Sequence, residues 1–238
     1  MSLIKKFVKH LGLLAILSSS HLSYASDILV DTTIHDASSD QHGGWRFKVD
    51  SMDVLWTSNG DITVDVYTNF VDYNNRITSG GQGNIVFGDL LLGTDGLEDN
   101  YNYAFNLTDG RYDNFYLAGH DSNIGQLNAI GSTTTAKQYH GQQAWVQNGP
   151  VLGNAVGQSL NQGAWTVDTQ YASVGFDKLS FNFNVSGIAA FQNASQLSLS
   201  WAMSCANDIV SGVVAKVNTQ VSEPAAALLM LLGFGAIG

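Results

Sequence analysis

The chain has one cysteine, Cys205, two prolines and only ten basic side chains in 238 residues. A single cysteine excludes an internal disulfide and any cysteine-based metal site, so the fold has to be held by its core. With so few prolines and aromatic residues spread throughout, the composition is that of an ordered chain. Ten Lys and Arg face twenty Asp and Glu, for a net charge of −10. That balance argues against binding nucleic acid, or an anionic membrane surface, through a basic footprint. Catalytic signatures are missing too. There is no Gly-x-Ser-x-Gly elbow, no His-Glu-x-x-His and no phosphate-cradling glycine motif. His35, His42, His120 and His140 remain beyond the first segment, with His120-Asp121 and Tyr139-His140 in expected loops. The reading is a protein that is not an enzyme.

The two ends are distinctive. Lys5, Lys6 and Lys9 precede a short apolar stretch, Leu11 to Leu17, and Ser23-Tyr24-Ala25 forms a small-x-small cleavage site. Residues 1–25 therefore read as a signal peptide for the general secretory route, leaving Ser26 as the mature start. At the other end, Asn218-Thr219-Gln220 leads into Val221-Ser222-Glu223-Pro224 and an apolar run from Ala225 to Gly238. Pro224 biases the chain away from helix just before that run. As a helix the run would cover about two-thirds of a ~30 Å hydrocarbon core. It reads either as a membrane-directed tail whose chain continues past Gly238, or as an apolar piece of the domain interior. The polar linker and the Glu-Pro breaker favour the tail.

Between the ends, period two dominates. Ile62, Val64 and Val66 alternate with Thr63, Asp65 and Tyr67; Trp45, Phe47 and Val49 alternate with Arg46, Lys48 and Asp50. Leu179, Phe181, Phe183 and Val185 alternate with Ser180, Asn182 and Asn184. Leu197, Leu199, Trp201, Met203 and Cys205 alternate with Ser198, Ser200, Ala202 and Ser204. Each pattern buries one face of a strand and leaves the other polar. Ser58-Asn59-Gly60-Asp61 is a hairpin signal. Further strands are expected at Ile85–Leu92, Tyr101–Leu107, Phe115–Ala118, Trp145–Gln147, Trp165–Asp168 and Val213–Val217, with a short helical turn near Ile188–Gln192. Gly125–Gly163 reads as long loops crossing one edge. The expected fold is all-β, an antiparallel, jelly-roll-like sandwich over residues 26–217, between the signal peptide and a C-terminal apolar helix in 218–238.

A signal peptide, an extracellular-type domain and then Val221-Ser222-Glu223-Pro224 with an apolar helix is similar to the PEP-CTERM sorting signal read by exosortases of Gram-negative bacteria. Glu223 and Pro224 match the last two motif residues, and Ser222 stands where the first Pro usually falls. Trp201 to Asp208 also resembles the Trp-x-x-x-Cys-Gly-Asn-Asp strand end of such proteins, with Ala206 in place of Gly, and Gly88-Asp89-Leu90-Leu91-Leu92 resembles their Gly-Asp-Leu-Phe-Leu segment. The resemblance implies transient anchoring in the inner membrane, cleavage by an exosortase-like enzyme near Glu223-Pro224, and release to the cell surface or an extracellular polysaccharide matrix. A structural or adhesive role follows as the expectation. The alternatives are a carbohydrate-binding, lectin-like module and an envelope hydrolase.

Ligand candidates come from loops. Asp95, Glu98 and Asp99 lie within five residues of a Gly-rich turn, and Asp109 and Asp113 flank Gly110-Arg111-Tyr112. Calcium takes several hard oxygens with flexible spacing, so Asp95, Glu98 and Asp99 are the calcium candidates, although Asp also favours turns for its own backbone hydrogen bonds. Trp145 and Tyr112, with Tyr67 and Tyr73, are candidate platforms for stacking on a glycan. Cys205, on the apolar side of its alternation, reads as a core residue.

Overall fold

The computed structural model describes residues 26–37, 42, 44–71, 85–107, 123–169 and 175–217. The signal peptide, the expected strand at Phe115–Ala118 and the C-terminal segment lie outside them. The described chain is mostly antiparallel β-sheet. Its strands are β1 (Ile28–His35), β2 (Val49–Thr57), β3 (Asp61–Thr68), β4 (Leu90–Gly93), β5 (Tyr103–Leu107), β6 (Asn123–Thr135), β7 (Pro150–Ala155), β8 (Asn161–Asp168), β9 (Asp177–Asn184), β10 (Gln196–Ala202) and β11 (Ile209–Ala215). Two short helices, α1 (Ala136–His140) and α2 (Ala189–Asn193), join them. Among the described residues no helix is long and apolar enough to cross a membrane.

Ten strands form one continuous sheet in the order β1-β2-β3-β9-β8-β6-β5-β4-β10-β11, and β7 pairs with β6 off this path. The consecutive strands β3 and β4 sit far apart in this order, as do β9 and β10, yet β3 pairs β9 and β4 pairs β10. The sheet therefore curls into a flattened near-barrel around one core. Phe87 shows the closure: its ring lies 5.7 Å from Phe70, 6.0 Å from Trp165 and 6.4 Å from Trp201. The edge strands β1 and β11 approach each other without forming a ladder. Val217 N–H donates to Leu29 O at 2.7 Å, and a Cβ on Gly212 would meet Ile34 Cγ2 at 2.8 Å. Between these points runs a slot of about 300 Å³ lined by residues 30–34 together with Val213, Val214, Ala215 and Val217.

The alternations in β3 and β9 match the structure. Ile62, Val64, Val66, Leu179, Phe181 and Phe183 face the core, and the hairpin turn uses Gly60 at φ 85°. The turn of helix expected near Ile188–Gln192 is α2. The first pattern differs. Trp45–Phe47 is a 3-10 turn, and the strand starts only at Val49. Gly44 at φ 81° breaks the extended path, so Phe47 turns inward while Trp45 stays outside.

A second correction concerns Gly125–Gly163, which is not loop. It holds β6, α1 and β7, and the start of β8. The first part of β6 lies in the main sheet between β5 and β8. Its register shifts between Ile130 and Ser132, and its second part pairs with β7 as an arm over the outside of β5, β4 and β10. Trp145–Gln147, expected as a strand, belongs to the non-strand tip of that arm. The arm explains why β10 has no solvent face. Ser198, Ser200, Ala202 and Ser204 are all buried, as are all four residues of β4. Small side chains here let a second layer approach.

Gly88-Asp89 clamps that layer. A Cβ on Gly88 would sit 2.2 Å from Ala202 O and 2.8 Å from Val151 O, so only glycine fits. Gly88 N–H donates to Ala202 O at 3.0 Å and Asp89 N–H to Val151 O at 2.8 Å. The Asp89 carboxylate, 1 % exposed, accepts from Asn106 Nδ2 at 2.5 Å, Gly153 N–H at 3.0 Å and Leu107 N–H at 3.3 Å. Asn106 in turn accepts from Asn128 Nδ2 at 2.8 Å. The segment is thus a structural clip joining β4, β5, β6, β7 and β10.

Asp89→Ala leaves those donors buried without an acceptor and should cost about 3 kcal/mol or more of stability. Asp89→Asn keeps one acceptor oxygen and should cost less. Urea unfolding of the three proteins, compared at unchanged m, checks the ranking.

Candidate functional site

The strand ends that open the connections β1–β2, β3–β4, β5–β6, β8–β9 and β10–β11 lie at one end of the barrel. The β2–β3 turn, α2, the chain start at Ser26 and the exit at Val217 lie at the other. Three groups of described residues bear on function.

The acidic loop between β4 and β5 belongs to the second end. Asp95 spends its carboxylate locally: Oδ1 accepts from Leu97 N–H at 3.1 Å, and Oδ2 accepts from Asn100 Nδ2. Asp99 takes a left-handed φ of 62°, and its Oδ1 lies 3.5 Å from the Tyr101 hydroxyl. Asp95, Glu98 and Asp99 are exposed and do not converge. Among the described residues no group of three or more His, Cys, Asp or Glu side chains is placed to hold a metal ion.

The arm tip brings together groups that lie far apart in sequence. Thr135 caps α1 by accepting from Gln138 N–H at 3.3 Å, and Gln138 Oε1 accepts from Thr135 N–H at 2.8 Å. This box orients α1 so that His140 Nε2 lies 2.8 Å from Ser204 Oγ. Ser204 Oγ also accepts from Val86 N–H at 3.0 Å, so this one hydroxyl joins the arm tip to the segment before β4. Trp145, the glycan candidate, is half-buried with its ring 5.1 Å from His140 and packs against two apolar clusters. Ser204 has no exposed surface, so this serine–histidine pair fastens the arm to β10 rather than presenting a nucleophile. Burial lowers the His140 pKa below the usual histidine value. Cys205 beside it is buried, and its thiol is pushed up to about 12 by desolvation, as suits a core residue. Periodicity could not pair His140 with Ser204, because the contact spans 64 residues.

The third group lies at the connection-rich end. Trp45 is 66 % exposed, with the Arg46 guanidinium 5.9 Å from its ring centroid and Asn69 Nδ2 donating to its carbonyl; nearby in sequence, Lys48 lies over the Phe176 ring. Reading residues 45–49 as a strand hid this ring; Gly43-Gly44 immediately before it was the available signal. At the opposite end, a cleft of about 220 Å³ is lined by Trp56, Thr57, Ser58, Gln192 and Lys216. Its indole is already covered. Lys216 Nζ sits 4.1 Å from the Trp56 ring and donates to Phe191 O at 2.9 Å and Gln192 O at 3.1 Å, capping α2. Tyr112, Tyr73, Asp109, Asp113, His120 and the sorting residues Val221, Ser222, Glu223 and Pro224 lie outside the described residues. No protein-family model, curated protein or solved structure matches the chain.

Two predictions follow from the arm tip. The folded-state pKa of His140 lies below that of the unfolded chain, so the unfolded chain takes up the proton first. Stability is full above about pH 6.5 and falls as pH drops toward the folded value. Between pH 7.5 and 5.5 the wild-type Tm should fall more than that of His140→Gln, measured by calorimetry. Cys205 should resist iodoacetamide at pH 8 in the native protein and react fully in urea, as read by intact mass.

Proposed function

We propose that the protein is an exported, exosortase-sorted component of the envelope or extracellular matrix of a Gram-negative bacterium, with a structural or adhesive role. In this reading residues 1–25 are removed on export. The apolar segment after Pro224 holds the protein transiently in the inner membrane until an exosortase-like enzyme cuts near Glu223-Pro224. The domain between is taken as a jelly-roll-like sandwich, a description that the β3–β9 and β4–β10 pairings support.

One observation carries the reading. A lysine-led apolar leader ending at Ser23-Tyr24-Ala25 and a terminal Ser222-Glu223-Pro224 with its apolar run bracket a single β-domain. Just past the last strand, Val217 N–H donates to Leu29 O of the first. Both flanking segments thus leave from one end, which is compatible with a tail held in a membrane while the domain stands clear of it.

The intact mass of the surface-released protein should correspond to a chain starting at Ser26 and ending near Glu223-Pro224. A Glu223→Ala, Pro224→Ala double variant should stay in the membrane fraction. A released wild-type protein that still carries Leu228–Gly238 would sink the proposal.

A further inference from the structure

We propose that Trp45 is a glycan platform on which a pyranose ring of a polysaccharide stacks. The chain has five tryptophans. Trp56, Trp165 and Trp201 are buried and Trp145 is half-buried, so the fold has means to cover an indole, yet Trp45 is the most exposed of the large apolar side chains described.

Its base is rigid. Phe47 N–H donates to Gly44 O at 3.0 Å, Lys48 N–H to Trp45 O at 3.3 Å, and Asn69 Nδ2 to Trp45 O at 2.8 Å. Beneath the turn, Phe47 is buried and stacks on Phe70 at 6.3 Å, which reaches the centre of the core through Phe87. Val49 N–H donates to the buried Asp208 Oδ2 at 2.7 Å, fixing the start of the strand that follows. With the backbone fixed, a ligand that covers the indole has only the two side-chain torsions of Trp45 left to order.

The surroundings select the partner. A protein or lipid partner of apolar character needs a contiguous apolar patch. Among the described residues the groups shown beside this ring are polar or charged: the Arg46 guanidinium lies 5.9 Å from the ring centroid, and the Asn69 amide is bonded to the Trp45 carbonyl. Lys48 Nζ lies 3.6 Å from Asp50 and 5.0 Å from the Phe176 ring. An apolar face of one ring's width, edged by hydrogen-bonding and charged groups, fits a sugar, which has an apolar C–H face and a polar rim. Arg46 could also engage a carboxylate on that rim, so neutral and uronate-bearing polymers share the required chemistry.

The inference deepens the matrix reading, which supplies the reason for meeting a polysaccharide, but its test does not involve the tail. The purified protein is run by affinity electrophoresis through laminarin, hydroxyethylcellulose, polygalacturonate and alginate. At least one polymer should retard it. Trp45→Ala should weaken that binding about tenfold or more with Tm unchanged, and Trp45→Phe should restore part of it. Loss of binding in Arg46→Ala with the acidic polymers alone would identify a uronate ligand; equal binding of Arg46→Ala and wild type to a neutral polymer would identify a neutral one. Retardation by none of the four, or wild-type binding by Trp45→Ala, overturns the proposal. A protein that binds while keeping its tail loses only the sorting reading, and one that is sorted but never retarded loses only the platform.

Discussion

Asp89 lies at the start of β4, beside β5 and beneath β7, and its carboxylate accepts hydrogen bonds from Asn106, Leu107 and Gly153. A buried charge is costly unless several donors surround it, and once surrounded it fixes those donors in place. Here the donors come from the main sheet and from the arm, so one side chain sets the distance between the layers. Gly88 makes that distance attainable by leaving room for the carbonyls of Ala202 and Val151. The small outward residues of β10 then complete the contact. Remove the carboxylate and the arm loses its link to the head of β4. The hydrogen bond between His140 and Ser204 would still hold its tip.

This constraint divides the molecule. Over β4, β5 and β10 the outer surface is covered by the arm. Over β1, β2, β3 and β9 cross-strand polar pairs occupy the outer face: Thr33 with Asp53 at 2.6 Å, Thr63 with Asn182 at 3.0 Å, and the half-buried Lys178 with Asp65 at 3.1 Å. Such pairs contribute modestly to stability. The two ends differ as well. One carries the Lys216 cap and both chain exits; the other carries Trp45 and the strand ends that open five of the connections.

The sequence patterns made the strand content legible wherever one face meets the core and the other meets water, as in β3 and β9. They failed where polarity and burial part company. Ser198, Ser200 and Ser204 are polar by chemistry and buried by position, because small size rather than hydrophobicity is what the covering layer requires. The β6–β7 arm stayed hidden because its Gly, Gln and Asn content resembles a loop, and its pairing depends on partners far away in the chain. Trp45, Phe47 and Val49 imitated a strand because two of the three are buried, although a glycine breaks the path just before them. For the candidate ligand residues, spacing showed that Asp95, Glu98 and Asp99 are close in sequence. It could not show that Asp95 turns its oxygens onto its own loop.

The placement of the chain ends has a mechanical consequence. The chain leaves at Val217, next to Leu29, whereas Trp45 stands at the far rim. A pull between these two points runs lengthwise along the strands. It loads the Gln196–Ala215 to Ala202–Ile209 ladder of β10 and β11 in shear, with all seven residue pairs resisting together. A sideways pull would instead open the same ladder one pair at a time. The geometry therefore resists a lengthwise pull between Val217 and the opposite rim better than a sideways one.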